Sequence, residues 1–594
     1  MTLFHQLSAL EASGLVRLAV SQPELEYLFR HALIQDAAYR SLVKPDRKQL
    51  HRAVGETFER LYAERSSNGE LAPLLGRHFF EAGDAGRALK YFMLAGDAAA
   101  RIYANAEAIT HYTTALEAVT RGAVTDSEHL IHLYTSLGQA YELSGQYPEA
   151  LASYAAMERL AHGRSDQALE LAALMARAKV HATLTPAQDP DKAQALLEQA
   201  LALARELEDR ATECKILWNL MLLFLWGGKD QHRAVDYGEQ ALMLARELDL
   251  REQLAFTLND LAYGYMSLGR WAEVLPALDE SRELWQALGN QPMLADNLAN
   301  SVLMHLRGGR YEQAIGASEE ALRISRSIDN VWGQAGSLTY VGLVYLERGE
   351  PDRAIAIMEQ AIRLGEQAGH PAPIVATRAD LSWVYGTLGA IERGLELARL
   401  ALDKAETSHF LRVSPLAMLA WAHLLAGDWV SAEATIRAGY AELKLEGLQW
   451  FAPITLPLAE AELALIKQDY ARAMQIADDV LSQLHNAQTR LFRADTLCVK
   501  GRALLGLARI EEARAMLVDA STEAEALGSR RTLWPILMAQ ADVEAQRGNL
   551  AEAQALRWKA RAIVEYIADH AGAPELRASF LDLPQVRNVM RETY

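Results

Sequence analysis

A small residue recurs along this chain at intervals close to 40 residues, and no other feature restricts the possible folds so strongly. Successive occurrences lie 38 to 43 residues apart. In many repeats a glycine stands five residues earlier, where it can end a helix in the left-handed conformation without a Cβ clash. The small residues are Ala150, Ala193, Ala234, Val274, Ala314, Ala354, Gly394, Ala432, Ala473, Ala513 and Ala553. This regularity predicts a repeat architecture, whose core grows by stacking.

Between these positions, apolar residues recur at steps of three and four, which is the pattern of an amphipathic helix. Leu338, Val341 and Tyr345 illustrate the pattern on one predicted helix, and Ile355 and Met358 on the next. The composition agrees, because 51% of the residues are hydrophobic and only 17 are proline. We therefore predict an all-α fold of stacked helix pairs, since one pair cannot bury its apolar stripes alone.

Two segments resemble tetratricopeptide repeats. In residues 338–362 the signature positions of that family hold Gly342, Tyr345, Gly349, Ala354 and Ala361, and in an earlier repeat they hold Leu137, Gly138, Tyr141, Gly145, Ala150 and Tyr154. The resemblance implies a right-handed α-solenoid. The standard unit has about 34 residues, so a period near 40 implies two longer helices. HEAT-like repeats have a similar length, but they do not explain the fixed offset from glycine to alanine, and we rank them second.

Residues 1–62 do not follow the repeat. They predict a helix up to Ser13, a strand at 15–20, a turn at Gln22-Pro23, a strand at 25–29 and further helices. This order is typical of the second half of a winged helix, so we interpret 1–62 as a winged-helix-like remnant with linker helices. An irregular first helical hairpin is the alternative.

The remaining boundaries follow from breaks in the pattern. Residues 63–125 form irregular first repeats, because Ala88 and Ala108 are only 20 residues apart and one helix would serve two pairs. Residues 126–570 form the regular tetratricopeptide-like superhelix. Gly572 to Pro574 end the last long helix, so residues 571–594 are predicted to form a C-terminal capping helix.

Both ends of the chain resemble STAND-type regulatory ATPases, including LuxR-type and adenylate-cyclase-associated proteins. The matching segments are FRHALIQDAAYRSL at 29–42, followed by basic residues, and LRASFLDLPQVRNVM at 576–590. No GxxxxGK[ST] phosphate loop is present: near Gly227-Gly228-Lys229, Leu223 replaces the first glycine and Asp230 follows the lysine. The resemblance therefore implies the repeat arm of such a regulator without its ATPase module, which would act in cis or in trans.

Motifs for catalysis are weak. GxGxxG and GxSxG are absent, and Ser41 to Lys44 matches SxxK without its partner motifs. His129 and His132 could share a metal, but no third ligand accompanies them, so we interpret them as structural or surface residues. Cys214 and Cys498 have no CxxC spacing and are predicted to be reduced core residues. We expect no catalytic residue, metal or cofactor, and an enzyme hidden in the repeats is the least favoured hypothesis.

The formal net charge of −18 argues against direct binding of nucleic acid or anionic lipid. Residues 1–13 do not read as a signal peptide, and the most apolar stretch, 216–226, is shorter than the roughly 20 residues that span a bilayer. We therefore predict a cytoplasmic protein.

Aligned repeats suggest a partner-binding groove. Asn219 and Asn259 occupy one equivalent position, and Tyr263, Trp383 and Trp421 occupy another four residues later. Amides can bind peptide backbone, and aromatic rings supply contact area; the alternative is that the aromatic rings are core packing. The predicted function is a non-catalytic protein-interaction or effector-sensing superhelix of a bacterial signalling or transcriptional regulator, which binds a protein, a peptide or a small inducer. A free-standing scaffold for complex assembly is the alternative.

Overall fold

The computed structural model describes residues 3–20, 26–67, 69–183, 185–226, 230–405, 409–445 and 454–591. The predicted turn at Gln22-Pro23 and the sequence Gly227-Gly228-Lys229 lie outside these residues. The chain forms two compact units, Met1–Asp209 and Arg210–Tyr594. No helix among the described residues is both long enough and apolar enough to cross a bilayer.

The first unit opens with a small mixed segment. Its elements are α1 (Leu3–Ala12), β1 (Val16–Val20), β2 (Glu26–Phe29), α2 (Ala32–Ser41), α3 (Lys44–Leu61) and α4 (Ala63–Ser67). The two strands pair antiparallel, with Val16 opposite Phe29 and Leu18 opposite Tyr27. The predicted order of helix, two strands and helices is therefore present, whereas the relation to a winged helix stays a prediction.

The rest of the first unit is helical. Its helices are α5 (Ala72–Ala82), α6 (Ala85–Arg101), α7 (Asn105–Thr120), α8 (Ser127–Leu143), α9 (Tyr147–Arg164), α10 (Gln167–Ala182) and α11 (Pro190–Glu206). Helix α6 packs against both α5 and α7. Ala88 and Ala108 are each the fourth residue of their helix, and both are fully buried. One helix thus shares its surface between two neighbours.

The second unit contains consecutive helix pairs and two short terminal helices. The helices are α12 (Arg210–Trp226), α13 (Gln231–Glu247), α14 (Arg251–Ser267), α15 (Trp271–Leu288), α16 (Gln291–Arg307), α17 (Tyr311–Ser327), α18 (Val331–Leu338), α19 (Val341–Glu347), α20 (Pro351–Ala368), α21 (Pro371–Thr387), α22 (Ile391–Lys404), α23 (His409–Leu425), α24 (Trp429–Leu445), α25 (Thr455–Ile466), α26 (Tyr470–Asn486), α27 (Arg493–Gly506), α28 (Ile510–Leu527), α29 (Arg530–Gln546), α30 (Leu550–Asp569), α31 (Pro574–Asp582) and α32 (Pro584–Arg591). Most helices of the regular pairs have 17 or 18 residues, which accounts for the long period.

The small residues that set the period have one structural role. Each of them, from Ala150 to Ala553, is the fourth residue of the second helix of its pair, and each is buried. The preceding turn adopts the left-handed conformation, with a φ of 71° at Gly309 and 77° at Gly349. Gln468 and Ala508 adopt it as well, with φ of 60° and 57°. The hairpin geometry therefore requires this conformation, and glycine only lowers its cost. The predicted all-α solenoid of helix pairs is confirmed.

Glycine on the first helix has a second purpose, which is to admit a large side chain from the second helix 16 residues later. A Cβ on Gly138 would lie 2.2 Å from Tyr154, and one on Gly342 would lie 2.7 Å from Met358. Both large side chains are buried. The signature glycines thus allow the close approach on which pair packing depends.

One first helix is broken. Helix α18 ends at Leu338 and α19 begins at Val341, so Thr339 and Tyr340 form a turn in the middle of the pair. The hydroxyls of Ser337 and Thr339 donate to the carbonyls of Gly333 and Ala335, at 2.6 and 3.1 Å. Such back-bonding bends helices, and Gly336 and Thr339 are also poor helix formers.

Within the second unit, later repeats return to contact the turns of earlier ones. A Cβ on Gly309 would lie 2.3 Å from Leu527, one on Gly349 would lie 2.9 Å from Ile567, and one on Gly389 would lie 2.6 Å from the Ser579 carbonyl oxygen. The Arg307 carbonyl also accepts hydrogen bonds from the Arg490 and Leu491 amides, at 2.8 and 3.1 Å. These contacts join residues that are about 180 to 220 positions apart.

A buried charge cluster lies at this closure, and we call it the clasp: Glu347, Asp495, Ser529, Arg531 and Thr532. Arg531 donates to Glu347 at 2.7 Å and to both Asp495 oxygens at 2.9 and 3.1 Å, and Ser529 donates to Glu347. Glu347 is only 3% exposed. Burial disfavours the charged guanidinium, but Asp495 and Glu347 outweigh it and raise the pKa of Arg531.

The end of the chain differs in detail from the single helix expected within 571–594. Two short helices, α31 and α32, are separated at Leu583, because proline at 584 disfavours the helical conformation in the residue before it. Their buried residues Phe580, Val586 and Val589 belong to the same core as Tyr345 and Trp383. This terminal segment therefore packs against the middle repeats as well as against α30.

Candidate functional site

The first helices of successive pairs in the second unit pack against one another, as α12 does on α14 and α21 on α23. One repeat position on these helices carries polar residues in four consecutive repeats, at a spacing of 40 residues: Asp260, Asn300, Tyr340 and Asp380. We call these four residues the ladder. Their helices are α14, α16 and α21, with Tyr340 in the break between α18 and α19.

The lower part of the ladder is organised by amides and by an indole. Asn259 is 3% exposed, and its oxygen accepts from Asn297 at 3.1 Å while its nitrogen lies 3.5 Å from an Asp296 oxygen. Asp260 accepts a hydrogen bond from the Trp218 indole at 2.8 Å. The Asn259 amide is therefore engaged with Asn297 and Asp296, and it is not available to bind the backbone of a peptide ligand.

Two acids share this environment, Asp260 and Asp296. Burial raises the pKa of Asp260 to about 7, with a further increase from the Asp296 carboxylate. Burial also raises the pKa of Asp296, against hydrogen bonds from Asn259 and Asn300. Asp260 is therefore partly protonated at neutral pH, and a nearby cation would favour the ionised form of both acids.

The upper part of the ladder contains a carboxylate without a partner. Asp380 is 9% exposed and forms no hydrogen bond or ion pair with the residues that the structure describes. Burial alone raises its pKa to about 7. An unpaired buried carboxylate is costly, so Asp380 is suited to a ligand that brings a positive charge.

An unpaired arginine stands near the same ladder residues. Burial lowers the pKa of Arg307 to about 10. Its guanidinium contacts the Met266 sulfur at 3.7 Å and the Trp271 ring at 4.8 Å, and it pairs with no carboxylate among the described residues. Burial and Asp380 raise the pKa of Tyr340 to about 12, and Arg307 opposes this increase. Opposite charges thus act on Tyr340 without forming a pair with each other.

The five predicted groove residues fall into three places. Asn259 and Tyr263 belong to the ladder environment, where burial, then Tyr340, Asp296 and Asp260, raise the pKa of Tyr263. Asn219 lies apart from that network, and its amide donates to the Lys215 carbonyl of its own helix at 2.8 Å. The charged ladder residues Asp260 and Asp380 were not among the five predicted groove residues.

Trp383 and Trp421 lie elsewhere, in the wall of a cavity of about 900 Å³. Trp383 is buried, its ring centroid is 5.8 Å from that of Phe492, and the Arg531 guanidinium carbon is 4.8 Å from its ring. The Trp421 indole donates to the Thr455 carbonyl at 2.8 Å. These two rings are thus both part of the packed wall and neighbours of a cavity.

The ladder leaves a sequence signal that the groove prediction did not use. Asp260 directly follows Asn259, and the same position 40 and 120 residues later holds Asn300 and Asp380. Polar residues at one position of successive apolar helices indicate a shared polar strip. The absence of a partner for Asp380 leaves no such signal, because it depends on how neighbouring helices are placed.

Other candidate chemistry has ordinary structural partners. His129 pairs with Asp126 at 2.7 Å and His132 pairs with Asp97 at 2.9 Å, so the two histidines have different partners. Among the described residues, no group of three or more His, Cys, Asp and Glu is placed to hold a metal. The Ser41 hydroxyl donates to the Ala38 carbonyl at 2.7 Å. Cys214 and Cys498 are both buried free thiols.

Family models match two stretches of the second unit. Both describe a tetratricopeptide repeat, and they cover residues 253–327 and 334–368. The chain contains tetratricopeptide repeats. The matched stretches include all or part of each helix from α14 to α20, and therefore three of the four ladder residues. These repeats indicate a protein-interaction scaffold. No curated protein matches the chain.

Solved structures with similar folds are distant in sequence. A Rap protein complexed with competence and sporulation factor is 12% identical, covers 60% of this chain and 99% of its own, and gives a TM-score of 0.45. Aspartyl phosphate phosphatase F from Bacillus subtilis is 12% identical, with 62% and 96% coverage and a TM-score of 0.42. A signal transduction ATPase with numerous domains (STAND) and a tetratricopeptide repeat sensor, from Pyrococcus horikoshii, is 16% identical, with 77% and 61% coverage and a TM-score of 0.39.

Proposed function

We propose that the ladder binds a peptide segment of a partner protein through a basic side chain, and that this chain is the sensing arm of a signalling regulator. The unpaired Asp380 carboxylate carries the proposal. A guanidinium or ammonium group would provide the missing countercharge, and charge-assisted hydrogen bonds in a water-poor site are strong. The hydroxyl of Tyr340 offers a further donor near it.

The charge balance favours a cation. Asp260, Asp296 and Asp380 provide three acids in the ladder environment. The cation Arg282 already pairs with Asp279, and Arg307 has no carboxylate partner among the described residues. A bound basic side chain would lower the raised pKa values of the acids, so protons would leave as the peptide binds. Affinity should therefore increase between pH 6 and pH 8.

The first unit offers a surface for a regulatory module. Helix α2 has no buried residue, and Leu28, Phe29, Leu33 and Val43 are exposed around it. Neighbouring exposed apolar residues are typical of a protein interface. In the proposed regulator this surface contacts a nucleotide-binding ATPase module, in cis or in trans. The alternative is a free-standing scaffold, in which another partner covers the same surface.

A randomised decapeptide library, immobilised on beads, tests the ladder directly. We expect the second unit, within the full chain, to select peptides that contain lysine or arginine. Asp380→Asn keeps the shape of the side chain but removes its charge, and should abolish that selection. Asp519→Asn is the matched control, because Asp519 is an exposed residue of α28.

Selection of acidic or purely apolar peptides would contradict the ladder proposal, as would unchanged selection by Asp380→Asn. The regulator context has its own test, which is the natural reading frame on either side of this sequence and in neighbouring genes. A nucleotide-binding module encoded there supports the sensing arm. Its absence would leave the free-standing scaffold.

A further inference from the structure

The cavity beside Trp383 and Trp421 is a partly open chamber of the second unit. Its volume is about 900 Å³, within the range of small-molecule sites. The first helices α19, α21, α23, α25, α27 and α29 provide most of its wall, and α31 and α32 complete it. Residues on the two sides of the clasp therefore face one space, which exists because the later repeats return to the earlier ones.

The chamber wall is aromatic. Trp383, Trp421 and Trp534 come from three different first helices, and Phe492 lies beside Trp383. Large aromatic surfaces bind flat apolar molecules by stacking and by the hydrophobic effect. Core packing alone would fill such a space with side chains, because protein interiors are close-packed.

Unsatisfied polar groups also lie in this wall. Trp534 lines the chamber, and its indole N–H stays accessible and donates to no group among the described residues. The Thr455 hydroxyl is buried without a partner. A buried hydroxyl without a partner is rare in folded proteins, and a ligand with a hydrogen-bond acceptor could bind both the Thr455 hydroxyl and the accessible Trp534 N–H.

The charged groups of the wall are already neutralised. Arg531 pairs with Asp495, and Arg502 pairs with Glu462 at 2.6 Å. Asp542 lies 3.6 Å from Arg557. Since each of these charges has its countercharge, the chamber does not favour a charged ligand.

We propose that this chamber binds an uncharged, mainly apolar small molecule that carries an aromatic ring and a carbonyl or similar hydrogen-bond acceptor. The ring stacks on the tryptophans and the acceptor takes the Trp534 N–H. This site is separate from the ladder and does not depend on peptide binding there. Because Asp495, Arg531 and Thr532 belong to both the clasp and the chamber wall, bound ligand also favours the closed second unit.

The neutral fluorophore 6-propionyl-2-dimethylaminonaphthalene tests the proposal, because it has an aromatic ring system and one carbonyl. Titrated into the full chain, it should bind saturably, one molecule per chain, with a blue-shifted emission. Trp534→Ala should weaken this binding at least tenfold. Trp534→Phe, which keeps a ring but removes the N–H, should weaken it several-fold.

Two further variants separate the chamber from other apolar surfaces. Met538→Trp adds volume at a half-buried wall position and should also abolish saturable binding. Trp558→Ala removes an exposed tryptophan of α30 outside the chamber and should change affinity less than twofold. Circular dichroism confirms that each variant is folded. No saturable binding by the unmodified chain, or unchanged affinity in a folded Trp534→Ala or Met538→Trp variant, would overturn the proposal.

Discussion

The clasp and the ladder both place charge inside the second unit, but only the clasp neutralises it. Arg531 of the clasp forms hydrogen bonds with Glu347 and Asp495 at 2.7 to 3.1 Å. In the ladder, Asp380 and Arg307 both influence Tyr340 but do not pair with each other. Paired buried charge has a structural role, because breaking it is costly. Unpaired buried charge lowers stability, and such strain is typical of functional sites.

The largest expected effect is the loss of the clasp cation. Arg531→Met leaves Glu347 and Asp495 buried without a countercharge, so the free energy of unfolding of the second unit should fall by about 3 to 5 kcal/mol. Urea unfolding followed by circular dichroism measures this. Arg323→Met is the control, since Arg323 pairs with Glu320 on an exposed surface, where the cost should be at most about 1 kcal/mol. Equal costs would show that the clasp is not a special contact.

Removing the charge of Asp380 from the ladder should instead increase the free energy of unfolding. Asp380 is protonated up to about pH 7 in the folded protein, whereas an unfolded Asp ionises near pH 4. The folded state therefore binds more protons between these values, and its stability falls as pH rises through them. Asp380→Asn should remove about 3 kcal/mol of this loss between pH 5 and pH 8.

Urea unfolding of both proteins at the two pH values tests this prediction. Asp380→Asn should be more stable than the unmodified chain at pH 8, by a margin that shrinks at pH 5. The exposed control Asp519→Asn should show no such margin at either pH. Destabilisation of Asp380→Asn at pH 8 would mean that this carboxylate has a stabilising partner after all.

Alanine substitutions at two turn glycines distinguish the contribution of the long-range contacts to stability from that of the local hairpin turn. Gly389 and Gly427 have φ of 78° and 74°, so alanine is strained at both. Only Gly389 touches a distant segment, the Ser579 carbonyl, whereas a Cβ on Gly427 would meet no atom within 4 Å. Gly389→Ala should therefore cost about 2 kcal/mol more than Gly427→Ala. Equal shifts of the melting temperature would show that the closure tolerates the added methyl group.

The smallest expected effect is a difference in stability between variants at Asn259 and Asn219, which occupy equivalent repeat positions in the sequence. Asn259→Ala removes a buried hydrogen bond to Asn297 and should cost about 1 to 2 kcal/mol. Asn219→Ala removes only a bond within its own helix and should cost less than about 0.5 kcal/mol. The melting temperatures of both variants measure the difference. A larger loss at Asn219 would show that this amide makes a stabilising contact beyond its own helix.

The sequence by itself determined the repeat. Small residues at positions such as Ala314 and Ala354, and glycines such as Gly309 and Gly349, report local geometry: a close helix contact and a left-handed turn within about ten residues. Because these interactions join near neighbours in the chain, their spacing alone predicted the helix pairs and the fold class. The repeat alignment also predicted two groove residues, Asn259 and Tyr263, that lie in the ladder environment.

Only the tertiary structure decided which charges are paired. Glu347 meets Arg531 across 184 residues, and no local pattern specifies that contact, because it depends on the small rotations that accumulate over several stacked pairs. The same accumulation gave Trp383 and Trp421 a cavity between them and left Asp380 without a partner. The sequence supplied these side chains, and the return of the later repeats decided which buried charges are paired and where a cavity remains.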